Sequence, residues 1–138
     1  MSVSERRCLP TFADLVDELT INQIKEIMLS ADRATFAARI EALKHDIDLV
    51  LRERGIELSA RLVHIVVVLA QMNLHIWMNK DRMEADPAGY AEHLTRAHQL
   101  NGIRNQMRNL LLEASGELQA ATRRSNASTD GLPTVEPA

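Results

Sequence analysis

The stretch "RLVHIVVVLAQM" at residues 61–72 decides the fold, because it is too apolar around its circumference for a surface helix. It lies in the middle of a 138-residue chain, and Ser59 just before it can act as an N-cap. We therefore expect it to begin the central helix of a bundle, running to about Ala85. Its longest unbroken apolar run, residues 65–70, is far shorter than the roughly 20 residues that span a bilayer.

Three further helices are predicted around this one from capping residues followed by apolar positions at helical spacing. They begin near Thr11, Asp32 and Pro87; the second ends at Gly55, and the last ends near Gly116 or as late as Arg123. Four helices joined by short connections predict an all-α, antiparallel four-helix bundle with long third and fourth helices. In the first helix the apolar residues change sides near Thr20, which predicts either a bend or burial on two sides.

The predicted domain organisation is simple. Residues 1–10 are expected to be a flexible N-terminus, residues 11–123 a single helical-bundle domain, and residues 124–138 a disordered tail, because that tail is polar and has no periodicity. A chain of this length can close one hydrophobic core without disulfides or metal.

Charge and cysteine content limit the partners and the compartment. The formal net charge is −3, which argues against general attraction to nucleic acid. Cys8 is the only cysteine, so no internal disulfide is possible and a reducing compartment fits best. The first ten residues hold no apolar segment of signal-peptide length. We expect a cytoplasmic protein with neither nucleic acid nor membrane as a partner.

Two polar insertions into apolar helix faces predict a binding site. Asn73 lies on the apolar side of the third helix, and a line of apolar residues on the fourth is interrupted from Asn101 onward. If these helices fold back on each other at Asp86, the two insertions reach the same level. Two arginines there make a cationic fork suited to phosphate or carboxylate, and Trp77 and Tyr90 can form a stacking wall. The predicted ligand-binding residues are Asn73, Trp77, Asp81, Asn101, Arg104, Asn105 and Arg108.

The alternative is that these polar groups bond to one another and fix the register of the bundle, or rotate into solvent. A separate polar stripe on the third helix, interpreted as its solvent face, consists of His64, Gln71, His75, Asn79 and Arg82. Its two histidines are three helical turns apart, too far for one metal ion, and the chain has no His-x-x-x-His pattern. We expect no metal and no cofactor.

Two stretches, "NLHIWMNKDRM" at residues 73–83 and "HQLNGIRNQMRNLL" at residues 98–111, resemble an uncharacterised bacterial all-helical family often encoded among genes for cell-surface polysaccharide synthesis. The opening "LVDELTINQIKEI" is similar to related helical proteins from the same setting. The matching residues are Asn73, Ile76, Trp77, Asp81, Leu100, Asn101, Arg104 and Asn105. The chain departs from the family pattern at Lys80, His98 and Gln106, where the family has acids. The resemblance implies the helical fold and a polar cluster, but no chemistry, because the activity of the family is unknown.

These observations predict a non-enzymatic bundle that binds a small anionic ligand or a protein partner between the third and fourth helices. One alternative is a small enzyme or accessory subunit acting on a phosphorylated sugar or nucleotide, for which Asp81 and His98 are the nearby acid–base candidates. Another is a dimerisation or adaptor module, and a homodimer is expected. Its interface would be the unbroken apolar line of the fourth helix: Leu100, Ile103, Met107, Leu111, Ala114 and Leu118.

Overall fold

The computed structural model describes residues 9–117, and these form four α-helices. They are α1 (Phe12–Met28), α2 (Arg33–Arg54), α3 (Ala60–Ala85) and α4 (Tyr90–Ser115), with single 3₁₀ turns at Ser30–Asp32 and Pro87–Gly89. The predicted all-α, four-helix architecture is confirmed. The predicted tail, most of the predicted N-terminal segment and the extension of α4 to Arg123 lie outside the described residues.

The helix ends form where the capping residues predict them. Thr11 Oγ1 accepts the Asp14 amide and Asp14 Oδ2 accepts the Thr11 amide, each at 3.1 Å, which completes a capping box. Ser59 Oγ accepts the amide of the third residue of α3 at 3.1 Å. Gly55 and Gly116 end α2 and α4 in the left-handed region, with φ of 62° and 75°, a conformation that glycine adopts without strain.

The helix that contacts all three others is α1 rather than α3. It packs against α2 along its length and also against both α3 and α4, which in turn form a closely packed pair. The helix continues through Thr20, and of the apolar residues on its second side Ile24 is buried whereas Met28 is half exposed, so that side is covered only in part. α2 packs mainly against α1, and Val63 and Val67 on the outer side of α3 are about half exposed in the described chain.

The core lies between α1, α3 and α4, with one face of α2 added to it. Its members include Phe12, Leu15, Val16, Leu43, Val50, Leu62, Ile65, Leu69, Met107, Leu111 and Leu112. Burying each large apolar side chain contributes about 1.5–3 kcal/mol. Met107 and Leu111 have no exposed surface, so the apolar line of α4 packs inside its own chain at these positions. Those two residues cannot form the interface that the adaptor hypothesis required.

Among the described residues, α3 alone is long and apolar enough to cross a membrane, judged by length and composition. The unbroken apolar run at residues 65–70 is too short to predict a membrane span, whereas the criterion of length and composition averages the hydropathy over 18 residues of the helix. Core helices of soluble proteins pass the same test. Here Ile65 and Leu69 are fully buried, although only 33% of the tested window is buried inside the fold, and one such helix is weak evidence for a membrane protein.

Candidate functional site

A buried carboxylate, Asp17 of α1, lies where α1, α3 and α4 meet. Only 3% of its surface is exposed. Its Oδ1 accepts hydrogen bonds from Asn73 Nδ2 at 2.8 Å and from Arg104 Nε at 3.3 Å. Its Oδ2 accepts from Arg104 Nη2, and from Arg108 Nη1 at 2.7 Å. One carboxylate of α1 therefore joins the polar insertions of both other helices.

Two of the side chains that bond Asp17 have further hydrogen-bond partners on α1. Asn73 Nδ2 also donates to Thr20 Oγ1 at 2.7 Å, and Arg108 Nη2 donates to Asp14 Oδ1. Two carboxylates thus face two guanidinium groups. We call this set the aspartate network; it consists of Asp14, Asp17, Thr20, Asn73, Arg104 and Arg108.

The aspartate network satisfies its own charges. Buried ions are tolerated only when they are paired and hydrogen-bonded, and breaking such a pair costs about 3–5 kcal/mol. Arg108 is buried and bonds two carboxylates, and its Nε is one of two buried side-chain polar atoms without a partner in the described part of the chain. Asn73, Arg104 and Arg108 are held together through Asp17, which each of them bonds, rather than by bonds to one another. That they also bind an external anion stays a prediction.

Three other predicted site residues, Trp77, Asp81 and Asn101, do not take part in this network. Asn101 is exposed and its Nδ2 donates to the Ala97 carbonyl oxygen at 3.0 Å, while Asp81 is exposed on α3. Trp77 and Asn105 are partly buried.

Four of the seven predicted residues line one shallow pocket of about 250 Å³, which we call the Trp77 pocket. Those four are Asn73, Trp77, Asn101 and Arg104; Ile21, Ile24, Ile76 and Lys80 complete the lining. The structure therefore brings together about half of the predicted set, on a mainly apolar surface above the aspartate network.

A second pocket, of about 300 Å³, lies between α3 and α4 near their connecting turn, and we call it the turn pocket. Its lining consists of His75, Asn79, Arg82, Glu92, His93, Arg96 and Leu100. Three of these residues belong to the stripe interpreted from sequence as solvent face. That interpretation is wrong for Asn79, which is only 2% exposed.

Local hydrogen bonds hold the wall of the turn pocket. Asn79 Nδ2 donates to the His93 carbonyl oxygen at 2.9 Å, which ties α3 to α4 seven residues on either side of Asp86. Asp86 Oδ1 accepts the Gly89 amide at 3.3 Å, and its Oδ2 lies 3.1 Å from His93 Nε2. A Cβ on Gly89 would overlap Asp86 Oδ2 and crowd His93 Nε2, so this arrangement requires glycine.

In the turn pocket the arginine charges are not balanced by an equal number of carboxylates, as they are in the aspartate network. Arg82 and Arg96 form no ion pair within residues 9–117, although both line the pocket. Glu92 supplies the single carboxylate of the lining. Two arginines against one carboxylate leave one positive charge when both histidines are neutral, and more when they are protonated.

The acid–base candidates of the enzyme hypothesis are not brought to either pocket. Asp81 and His98 are both exposed, and neither belongs to the lining of the Trp77 pocket or the turn pocket. Within the described residues no group of three or more His, Cys, Asp or Glu side chains is placed to hold a metal ion.

Comparison with known proteins adds no assignment: no family model, no curated protein and no solved structure matches the chain. The resemblance to the bacterial all-helical family stays a prediction. The structure nevertheless brings the stretches that carry it into contact, because Asp17 and Thr20 of "LVDELT" bond Asn73, and Asp17 bonds Arg104.

Proposed function

We propose that this protein is a cytoplasmic, non-enzymatic helical bundle that binds a small anionic ligand between α3 and α4, at the turn pocket. The observation that carries the proposal is that Arg82 and Arg96, which line a polar cavity of about 300 Å³, form no ion pair within residues 9–117. The arginines of the aspartate network, by contrast, are already neutralised by carboxylates. The single cysteine supports the cytoplasmic assignment.

The lining of the turn pocket favours a phosphorylated ligand. A guanidinium group presents a planar fork of donors that matches two phosphate oxygens, and two such groups suit a dianion. Asn79 holds the wall in place before a ligand arrives, which lowers the entropic cost of binding. The cavity volume lies at the small end of ligand pockets, so a diphosphate or a small phosphate ester fits better than a whole dinucleotide.

Calorimetric titration with pyrophosphate at low salt tests this proposal. We expect binding by the wild type, and at least tenfold weaker binding by an Arg82→Ala/Arg96→Ala variant. The matched control is Arg33→Ala/Arg39→Ala, which removes two arginines from α2 and leaves binding within twofold of the wild type. No binding by the wild type, or equal loss in the two double variants, would overturn the proposal.

The imidazole NMR signals of the histidines test independently where the anion binds. His75 and His93 line the turn pocket, whereas His45 is on α2 and His64 is on α3, three helical turns before His75. Pyrophosphate should shift the imidazole NMR signals of the first two and leave those of the other two unchanged. Equal shifts of all four would indicate general surface attraction rather than a site.

The Trp77 pocket is a second candidate, favoured by its combination of an indole wall with Lys80, which has no ion-pair partner in the described residues. It fits an anion with an apolar body, such as an aromatic carboxylate. Trp77 is the only tryptophan, so its fluorescence reports on this pocket alone. Benzoate should change that fluorescence in the wild type but not in Lys80→Ala if this second candidate is correct.

A further inference from the structure

Glu92 is the one acidic side chain in the lining of the turn pocket. It is exposed in the first turn of α4, four residues before Arg96. A carboxylate and a guanidinium group at this spacing often pair on a helix surface, yet Glu92 forms no ion pair or side-chain hydrogen bond within residues 9–117. In the described chain the pocket therefore presents an unpaired carboxylate beside two unpaired arginines.

A carboxylate in the first turn of a helix also has a structural role, because it interacts favourably with the amide groups at the helix N-terminus. That role contributes to the stability of α4 and does not depend on which ligand occupies the pocket. The two roles of Glu92 are therefore separated by the ligands that the pocket prefers, and not by a measurement of stability.

Glu92 repels a ligand that consists of phosphate groups alone, because like charges a few ångströms apart oppose binding even in water. Asp86 is not part of the lining, and its Oδ2 lies 3.1 Å from His93 Nε2. With neutral histidines, the two arginines and Glu92 give the lining one net positive charge. Pyrophosphate carries more negative charge than this lining balances.

We propose that the ligand class of the turn pocket is an aminoalkyl phosphate, a small phosphate monoester whose carbon chain carries a primary ammonium group. The inference rests on the proposed function, since it assigns the phosphate to Arg82 and Arg96 and adds Glu92 as the partner of the ammonium. A phosphate monoester carries about two negative charges and the ammonium one positive charge. The net charge of the ligand is then about −1, which the lining neutralises.

The spacing and the remaining lining suit such a molecule. Glu92 and Arg96 are about 6 Å apart along the axis of α4, at 1.5 Å per residue, and a chain of two or three carbons separates a phosphate from an ammonium by a similar distance. Leu100 gives the carbon chain an apolar contact. A hydroxyl group in place of the ammonium would donate to the same carboxylate but would leave the two negative charges of the phosphate against one positive charge.

Calorimetric titration of the full chain with three ligands of nearly equal size tests the inference. O-phosphoethanolamine carries the ammonium, and 2-hydroxyethyl phosphate and propyl phosphate carry a hydroxyl and a methyl group in its place. At low salt and about pH 7.5 the phosphate is mainly dianionic and the amine is protonated. We expect the wild type to bind O-phosphoethanolamine at least tenfold more tightly than propyl phosphate, with 2-hydroxyethyl phosphate between them.

Glu92→Gln should reduce this tenfold preference to less than twofold, because the amide has no charge to offer the ammonium. The same variant should bind pyrophosphate two- to fivefold more tightly, because the repulsion is removed. A purely structural role of Glu92 would leave the preference unchanged. Glu84→Gln is the matched control: Glu84 is exposed on α3 outside the lining, so this variant should keep the wild-type preference.

Each contrary result has a distinct meaning. Equal wild-type affinities for O-phosphoethanolamine and propyl phosphate, with pyrophosphate still bound, would overturn the aminoalkyl class and leave the proposed anion site intact. Equal affinities for the ammonium and hydroxyl ligands would overturn it in favour of a hydroxylated ester. A preference that survives Glu92→Gln, or that Glu84→Gln also removes, would overturn the role of Glu92. A wild type that binds none of the four compounds would overturn both this inference and the proposed function.

Discussion

The aspartate network and the turn pocket are built on the same two helices, yet their arginines have different partners. At the level of Arg104 and Arg108, α1 lies against α3 and α4 and contributes two carboxylates. Near the α3–α4 turn no residue of α1 reaches the pocket, and Arg82 and Arg96 stay unpaired in the described chain. An arginine beside carboxylates of a third helix therefore has a structural role, whereas an arginine without such carboxylates is available to a ligand.

The largest expected effect is the loss of the carboxylate at the centre of the aspartate network. Asp17→Ala removes the acceptor for three side chains, leaving the buried Arg108 with Asp14 alone and the partly buried Arg104 without its carboxylate. We expect the free energy of unfolding to fall by about 3–5 kcal/mol, measured by urea denaturation. Asp48→Ala, which removes an exposed aspartate of α2, is the control and should leave the urea midpoint unchanged. Equal midpoints for the two variants would show that the network contributes no stability.

A smaller loss is expected from Asn73→Ala. This change leaves both ion pairs of Asp17 in place but removes a buried donor to its Oδ1. Leaving a buried acceptor with fewer hydrogen bonds costs about 1–3 kcal/mol, again measured by urea denaturation. A loss as large as that of Asp17→Ala would mean that the Asn73 amide, rather than the ion pairs from α1 to α4, accounts for the stability that the network contributes.

In contrast to the aspartate network, the arginines of the turn pocket should contribute to ligand binding and not to stability. Removing both Arg82 and Arg96 breaks no side-chain hydrogen bond or ion pair within the described chain, so the thermal midpoint without ligand should stay within about 1 °C of the wild type. The increase in midpoint that pyrophosphate produces by mass action should disappear. A large drop in stability without ligand would show that these arginines are structural like Arg104 and Arg108.

The smallest effect is expected from Gly89→Ala. The added methyl group must displace the Asp86 carboxylate, which is the free end of a side chain and can move at little cost. Stability should hardly change, while the His93 imidazole signal should shift because its partner has moved. Pyrophosphate binding should weaken by about two- to fivefold. An unchanged His93 signal would show that Asp86 does not orient this ring.

The sequence was sufficient for the helices because their ends and faces depend on local features. The capping residues at Thr11 and Ser59, and the glycines that end α2 and α4, act within one or two turns. It was not sufficient for the packing order. α3 holds the longest apolar run and the sequence predicts it at the centre, but Val63 and Val67 on its outer side are about half exposed.

The candidate sites were predictable only in part. The partner of a polar side chain on α3 or α4 depends on which other helix packs beside it, and the sequence does not show that. The insertions at Asn73 and Arg104 were recognised, but their partner Asp17 was not. A signal was available, since Asp17 lies one turn before Ile21 on the same side of α1, where a carboxylate interrupts an apolar face. For the turn pocket, periodicity alone could not show that Asn79 is buried by α4.

The most direct test compares one arginine from each region in the same pyrophosphate titration. Arg96→Gln should bind pyrophosphate at least tenfold more weakly than the wild type while keeping its stability. Arg104→Gln should lose stability, yet bind with wild-type affinity at a temperature where it is folded. The reverse pattern, with binding lost in Arg104→Gln and kept in Arg96→Gln, would contradict the account and move the ligand to the Trp77 pocket.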